Sequence, residues 1–196
     1  MQAMQPRQRS TWAAAAAANS PLVASAVEVH RADGGPVSLG VLLEGSAEGV
    51  AVRAGRMAAL LSSAVSSASP VAPAWWAGVP DPGDGTLLRV TFWVSALAPV
   101  LEAIAAAARE TGTSPVVHGS AGAGLLYLTF SGQADAGQVT RLAGIVAAAI
   151  PDGRGSVVVV SGPGRSASAI PGAGLMQAVK DQFDPDGRLK PGRIFG

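Results

Sequence analysis

The sequence predicts an α+β fold: an antiparallel sheet with its helices on one face, followed by a C-terminal helix and an extended tail. Three observations predict it. Short β-branched runs with period-two alternation are interleaved with stretches whose apolar residues recur every three to four positions. Two strand pairs are joined by turn chemistry, Asp33-Gly34-Gly35-Pro36 and the run Gly119 to Gly124, as antiparallel hairpins require. The length of 196 residues suits one domain with appendages, and at that size folding buries about 70% of the unfolded chain's surface.

The elements follow in order. Ala13 to Ala18 form a short helix with Ser10 or Thr11 as cap and Pro21 as stop. Arg7, Arg9 and the A-x-A-like Ala24-Ser25-Ala26 have the outline of a signal peptide, but the apolar region between them is alanine rather than leucine. Val23 to His30 and Pro36 to Glu44 read as the first two strands. Ser46 caps a helix whose Val50, Ala54, Met57, Leu61 and Val65 line one side. Residues 66–84 are a loop rich in Pro, Gly, Ser and Ala, with Trp75-Trp76 at its middle. Thr86 to Val94 is a third strand, and Ser95 opens a helix that Thr111-Gly112 ends. Pro115 to His118 and Leu125 to Ser131 are two more strands. Asp135 caps a helix reaching Ile150, and Ser156 to Ser161 is the sixth strand. The order ββα, βα, ββα, β reads as two similar halves of a ferredoxin-like sandwich.

Beyond Ser161, residues 162–174 are a loop and Leu175 to Phe183 is a short amphipathic helix. Asp184-Pro185-Asp186-Gly187 is a turn with proline well placed at its second position. The basic end, Arg188 to Gly196, has too little apolar content for a core of its own and is expected to pack against something. The organisation read from these shifts is a helix and linker over 1–22, a ferredoxin-like domain over 23–161, and a helix and tail over 162–196.

Composition excludes several classes of function. Lys plus Arg number 14 and Asp plus Glu 13, a formal charge of +1, so the basic surplus of a nucleic-acid binder is missing. Without cysteine there is no disulfide scaffold, thiolate zinc site, cysteine nucleophile or cysteine-ligated iron–sulfur cluster. No stretch reaches the roughly 20 apolar residues a bilayer span needs. With 39 alanines and only 5% aromatic residues, the core must rely on close packing of small side chains.

Few residues carry obvious chemistry. Gly119 to Gly124 leads into a strand rather than a helix N-terminus, so it reads as a hairpin turn and not a phosphate loop. His30 and His118 lie on strands without a ligand pattern around them. Ser120 has no elbow motif and no orienting acid for a nucleophile's role. Asp81 with Asp84, and Asp184 with Asp186, are explained by turns. Trp75-Trp76 is more telling: on a strand-like stretch the two indoles would point opposite ways, one capping the sheet and one lining a cleft or contact.

The segment Leu175-Met176-Gln177-Ala178-Val179-Lys180-Asp181-Gln182-Phe183-Asp184-Pro185-Asp186-Gly187-Arg188-Leu189-Lys190-Pro191-Gly192-Arg193 resembles the closing motif of the FAD-linked oxidases. That motif is a helix bearing a lysine, an Asp-Pro-x-Gly turn, then Asn-Pro-Gly-Lys or -Arg. Trp12, Ser20-Pro21-Leu22-Val23, Trp75-Trp76 and the Ser156 to Ser161 strand extend the likeness diffusely over residues 10–195. Within the family it is most similar to the FAD-binding subunit of glycolate oxidase. Two departures qualify it. The family binds FAD mainly through an N-terminal domain with a glycine-rich pyrophosphate loop, and nothing before Val23 can be that domain, so the chain is expected to be the C-terminal part of a longer flavoprotein, or a partner that lost that domain. Relatives also carry His-x-Gly-Asp-Gly-Asn-x-His, where this chain puts Ala123, Leu125 and Tyr127 at the Asp, Asn and second His, losing that motif's metal-binding or acid–base groups. Lys190 stands where many members have Asn.

The resemblance implies an oxidoreductase component that acts on a small 2-hydroxy acid by hydride transfer to flavin, beside a catalytic flavin subunit and an iron–sulfur subunit. It implies FAD as cofactor, with Lys190 and Arg193 where the tail folds back on a flavin domain. Trp75, Trp76 and Tyr127 would face the cleft between domains. The implied location is cytoplasmic, or the inner membrane's edge through a complex. The alternatives are a non-catalytic subunit-interaction or ligand-binding module, and a truncated fragment without activity of its own.

Overall fold

The computed structural model describes residues 13–32, 35–61, 71–130, 134–151, 154–164 and 172–189. Helix α1 covers 13–18. It is followed by β1 (Ala26–Arg31), β2 (Ser38–Leu42), α2 (Ala47–Leu60) and β3 (Thr86–Phe92). Then come α3 (Leu97–Thr111), β4 (Val116–Ser120), β5 (Leu125–Phe130), α4 (Ala136–Ala148), β6 (Gly155–Ser161) and α5 (Ala173–Phe183). The strands form one antiparallel sheet in the order β2-β1-β4-β5-β3-β6. This is the α+β sheet that the alternating pattern predicts.

The two-halves reading is corrected by the topology. The unit β3-α3-β4-β5-α4-β6, with strands in the order β4-β5-β3-β6, is by itself a complete split βαβ arrangement. The β1–β2 hairpin does not begin a second such unit. It lengthens the sheet at β4, whose outer backbone groups would otherwise lie unpaired.

One side of the sheet holds the core. Leu88 and Val90 of β3 and Leu126 and Leu128 of β5 are fully buried with Leu97, Val100 and Ile104 of α3 and Val139, Leu142 and Val146 of α4. Ala13, Ala14 and Ala17 of α1 belong to the same buried cluster as Val27, Val29 and Met57. Alanine there lets a short helix come close without a large side chain to accommodate. Of the stripe predicted on α2, Met57 and Leu61 are buried and Val50 and Ala54 half-buried, while Val65 lies outside the described residues.

The caps explain the helix ends. Ser46 Oγ accepts from the Gly49 amide. The Asp135 carboxylate accepts from Gly137 while Gln138 accepts from the Asp135 amide, a capping box. Gly112 ends α3 in the left-handed conformation. Ser95 does not open α3; it lies in a 3-10 turn, Val94–Ala96, and the helix begins at Leu97 without a side-chain cap. Pro99 fits that first turn because its missing N–H would have had no helical partner. The glycine run is the hairpin turn expected. Gly124 has φ +66°, and a Cβ there would collide with the Phe92 carbonyl.

At the other end of the sheet the pairing of β6 with β3 slips between Leu87 and Leu88, a bulge that leaves Val160 exposed. At the C-terminus, Asp184 ties a helix to its turn. Its carboxylate accepts from Lys180 Nζ at 2.5 Å, from Arg188 N at 2.7 Å and from Leu189 N at 2.9 Å. Lys180 Nζ also donates to the Leu189 carbonyl. The lysine's hydrogen bond and the two amides hold the Asp184 carboxyl below the usual carboxylate range. The apolar side of α5 is uncovered: Leu175, Val179 and Phe183 are exposed, Phe183 at 79%.

Two outcomes follow from this packing. Leu128→Ala, in the middle of the core, lowers unfolding stability by about 2–5 kcal/mol, read by urea denaturation. Because the folded Asp184 pKa is depressed, its contribution is present above the unfolded carboxylate value and is lost as pH falls through the folded one. Protection of the Arg188 and Leu189 amides, taken relative to their intrinsic exchange rates, is therefore expected to fall at acid pH, and Asp184→Asn to lower it already at neutral pH.

Candidate functional site

The second face of the sheet carries the polar side chains. Alternation along each strand sends Val27, Val29, Leu126 and Leu128 inward, so their neighbours Glu28, His30, Leu125 and Tyr127 point the other way. Cross-strand register then aligns one row across all six strands: Ser38, His30, His118, Tyr127, Arg89 and Val158. Directly opposed residues of this kind sit about 4.5–5.5 Å apart at Cβ. No linear motif contains this row; it is assembled by pairing alone.

One end of the row is covered. Residues 74–77 form a turn in which the Trp76 amide donates to the Pro73 carbonyl at 2.9 Å. The Trp75 ring stacks on His30, 5.4 Å between centroids and 10° between planes, and meets His118 edge-on at 6.3 Å. Trp75 and Trp76 do not point opposite ways, because the segment is a turn rather than a strand. Their rings lie 6.2 Å apart and both cover Gly40 of β2, where a Cβ would stand 2.9 Å from Trp76 Cε3 and 3.0 Å from Trp75 Cη2. Glycine at 40 is what admits them. The turn closes on Ala77 at φ +55°, a conformation costing roughly 1–2 kcal/mol outside glycine, which the seated indoles must offset.

Beneath the indoles, His118 is 4% exposed. His30 Nδ1 and His118 Nε2 are buried and have no hydrogen-bond partner among the described residues. Burial first, and the adjacent His118 second, lower the His30 pKa from its ordinary 6.5. Among the described residues no cluster of three or more His, Cys, Asp or Glu side chains has metal-binding geometry. The sequence reading of two unremarkable strand histidines therefore misses their pairing under Trp75.

The other end of the row is open. Arg89, Thr91, Trp93, Leu125, Tyr127 and Arg154 line a shallow groove of about 510 Å³. The Arg154 guanidinium lies 4.5 Å from the Trp93 ring centroid. Trp93 is 57% exposed, so this cation–π contact contributes about 0.5–1 kcal/mol. The Thr91 hydroxyl is engaged with the Ser156 hydroxyl at 3.0 Å. Among the described residues no acidic side chain lines the groove, and neither Arg89 nor Arg154 has an ion pair.

Of the residues singled out in sequence, Trp75, Trp76 and Tyr127 thus share one face, with His118 between the indoles and the tyrosine. Lys190 and Arg193 lie outside the described residues. Arg89 and Arg154 are additions from the structure. No helix among the described residues is long and apolar enough to cross a membrane. No family model, curated protein or solved structure matches the chain.

His30, stacked on Trp75, makes the indole cover sensitive to acid. Since the folded pKa of His30 is lowered, its neutral form stabilises the fold above the unfolded value, and that contribution is lost as pH falls below it. Tryptophan emission is expected to shift toward that of solvated indole as pH falls below the ordinary histidine value. His30→Phe, which keeps a ring for stacking and removes the titration, should flatten the profile.

Proposed function

We propose that this chain is the cap and C-terminal portion of an FAD-linked oxidoreductase resembling the FAD-binding subunit of glycolate oxidase, acting on a small 2-hydroxy acid. The observation that carries this reading is the pair of surfaces left bare. The helix and turn of the closing motif are held together by the Asp184 clasp, yet the apolar side formed by Leu175, Val179 and Phe183 is exposed. The sheet likewise buries one face under helices and leaves the other open from Tyr127 to β6. A second domain seated against these surfaces would cover both.

The glycine run from Gly119 to Gly124 does not itself fit FAD. A pyrophosphate needs free backbone N–H groups behind a glycine turn at a helix N-terminus. Here the glycine run closes a β-hairpin, and Ser46 and the negatively charged Asp135 already occupy the starts of α2 and α4. On this reading FAD belongs to a flavin domain outside these residues, and no redox step is assigned to them. The exposed stripe of α5 also favours the second reading, a subunit-interaction module without catalysis.

The two readings separate in one experiment. The chain is purified with whatever assembles with it in its own cells, and glycolate or lactate is added anaerobically. The oxidoreductase reading expects a flavin-coloured assembly that bleaches with a 2-hydroxy acid, while the isolated chain stays colourless even with added FAD. An assembly without flavin, or one whose flavin neither acid reduces, would overturn it and leave the interaction module.

A further inference from the structure

The open end of the polar row has the composition of an anion site. Two guanidinium groups, a phenol and an indole surround a groove into which no carboxylate of the described residues projects. Arg89 rises from a strand that is otherwise buried on either side of it, Leu88 and Val90 both being fully enclosed. It is fixed at its base by pairing with Tyr127 on one side and Val158 on the other. A cation so placed is held on a strand paired on both sides rather than on a loop. Arg154 approaches from the start of β6, laid against Trp93, which restrains the plane of its guanidinium. The Tyr127 hydroxyl adds a neutral donor between Arg89 and the buried His118.

The backbone decides which anion suits the groove. Phosphate sites gather several free N–H groups into a nest or a helix terminus. Here four amides at the rim are already engaged: Phe92 donates to the Gly124 carbonyl, Trp93 to the Arg154 carbonyl, Gly124 to the Ala121 carbonyl and Arg154 to the Pro151 carbonyl. What remains is side-chain recognition by guanidinium, whose planar fork matches a carboxylate in two parallel hydrogen bonds. The indole and phenol suit a small organic body more than a bare ion.

We propose that this groove binds a small carboxylate, with Arg89 as its principal anchor, Arg154 as the second cation and the Tyr127 hydroxyl as a donor. The choice of a 2-hydroxy acid as occupant rests on the oxidoreductase reading; the carboxylate site itself does not.

The test is titration of the full chain with glycolate, followed by backbone amide shifts in the absence of flavin, with sodium chloride at matched ionic strength as control. Saturable shifts are expected at Thr91, Leu125, Tyr127 and Gly155. Arg89→Gln should weaken glycolate at least tenfold, and Arg89→Lys should recover only part of that loss. Arg154→Gln should weaken it a few fold. Arg109→Gln, an exposed cation of α3, should leave binding unchanged, and thermal melts confirm that each variant folds. The proposal is overturned if shifts merely track ionic strength, if Arg109→Gln matters as much as Arg89→Gln, or if inorganic phosphate displaces glycolate at equal concentration. Arg89-dependent glycolate binding in a chain that never assembles with a flavin would sustain this site and sink the oxidoreductase reading. Flavin reduction that survives Arg89→Gln unchanged would do the reverse.

Discussion

One-sided burial of β3 and β5 governs the rest of the molecule. Their inward residues, Leu88, Val90, Leu126 and Leu128, are sealed by α3 and α4, and because side chains alternate strictly, their neighbours have to face away. A shift of one residue in either pairing would turn Arg89 into the core and a leucine or valine out of it. The cost of burying that unpaired guanidinium fixes the register. The same register carries His30, His118, Tyr127 and Arg89 into a single file. The apolar core and the polar row are therefore two readings of one constraint.

That file is not uniform. At its β1–β4 end His30 and His118 lie against Trp75, with His118 buried, while at the β3–β6 end the row is open and positively charged. Tyr127 sits at the boundary. A ligand in the groove would touch the exposed half directly and the covered half only through the tyrosine. The division arises from where the chain has room. Glycine at 40 lets Trp75 and Trp76 come down onto the sheet, and among the described residues no comparable cover lies over Arg89, which is exposed.

The strands and helices were legible because local patterns carry them. Ser46 and Asp135 cap as their types suggest, Gly112 stops a helix, and the run Gly119 to Gly124 closes a hairpin. Ser95 misled because a serine before a helical pattern looks like a cap whether or not the helix starts there. The site was far less legible. Nothing local says that His30 opposes His118, or that Arg89 opposes Tyr127; those neighbours are separated by 88 and 38 positions and meet only through pairing. A lone cation inside the strand TLLRVTFWV was the available clue to Arg89. The paired orientation of Trp75 and Trp76 was hidden because turn and strand place adjacent side chains differently.

The slip in pairing at Leu87 and Leu88 has a consequence for the protein's behaviour among its own copies. β6 is a border strand, and Gly155–Ser161 is a run of four valines flanked by serines, the kind of segment that invites strand-to-strand stacking between molecules. The bulge twists the end of that border and breaks its regular ladder. A straight, fully regular β6 would offer a template for addition; the kinked one terminates it. An irregularity of one residue thus interrupts the ladder at the end of the strand most inclined to stack.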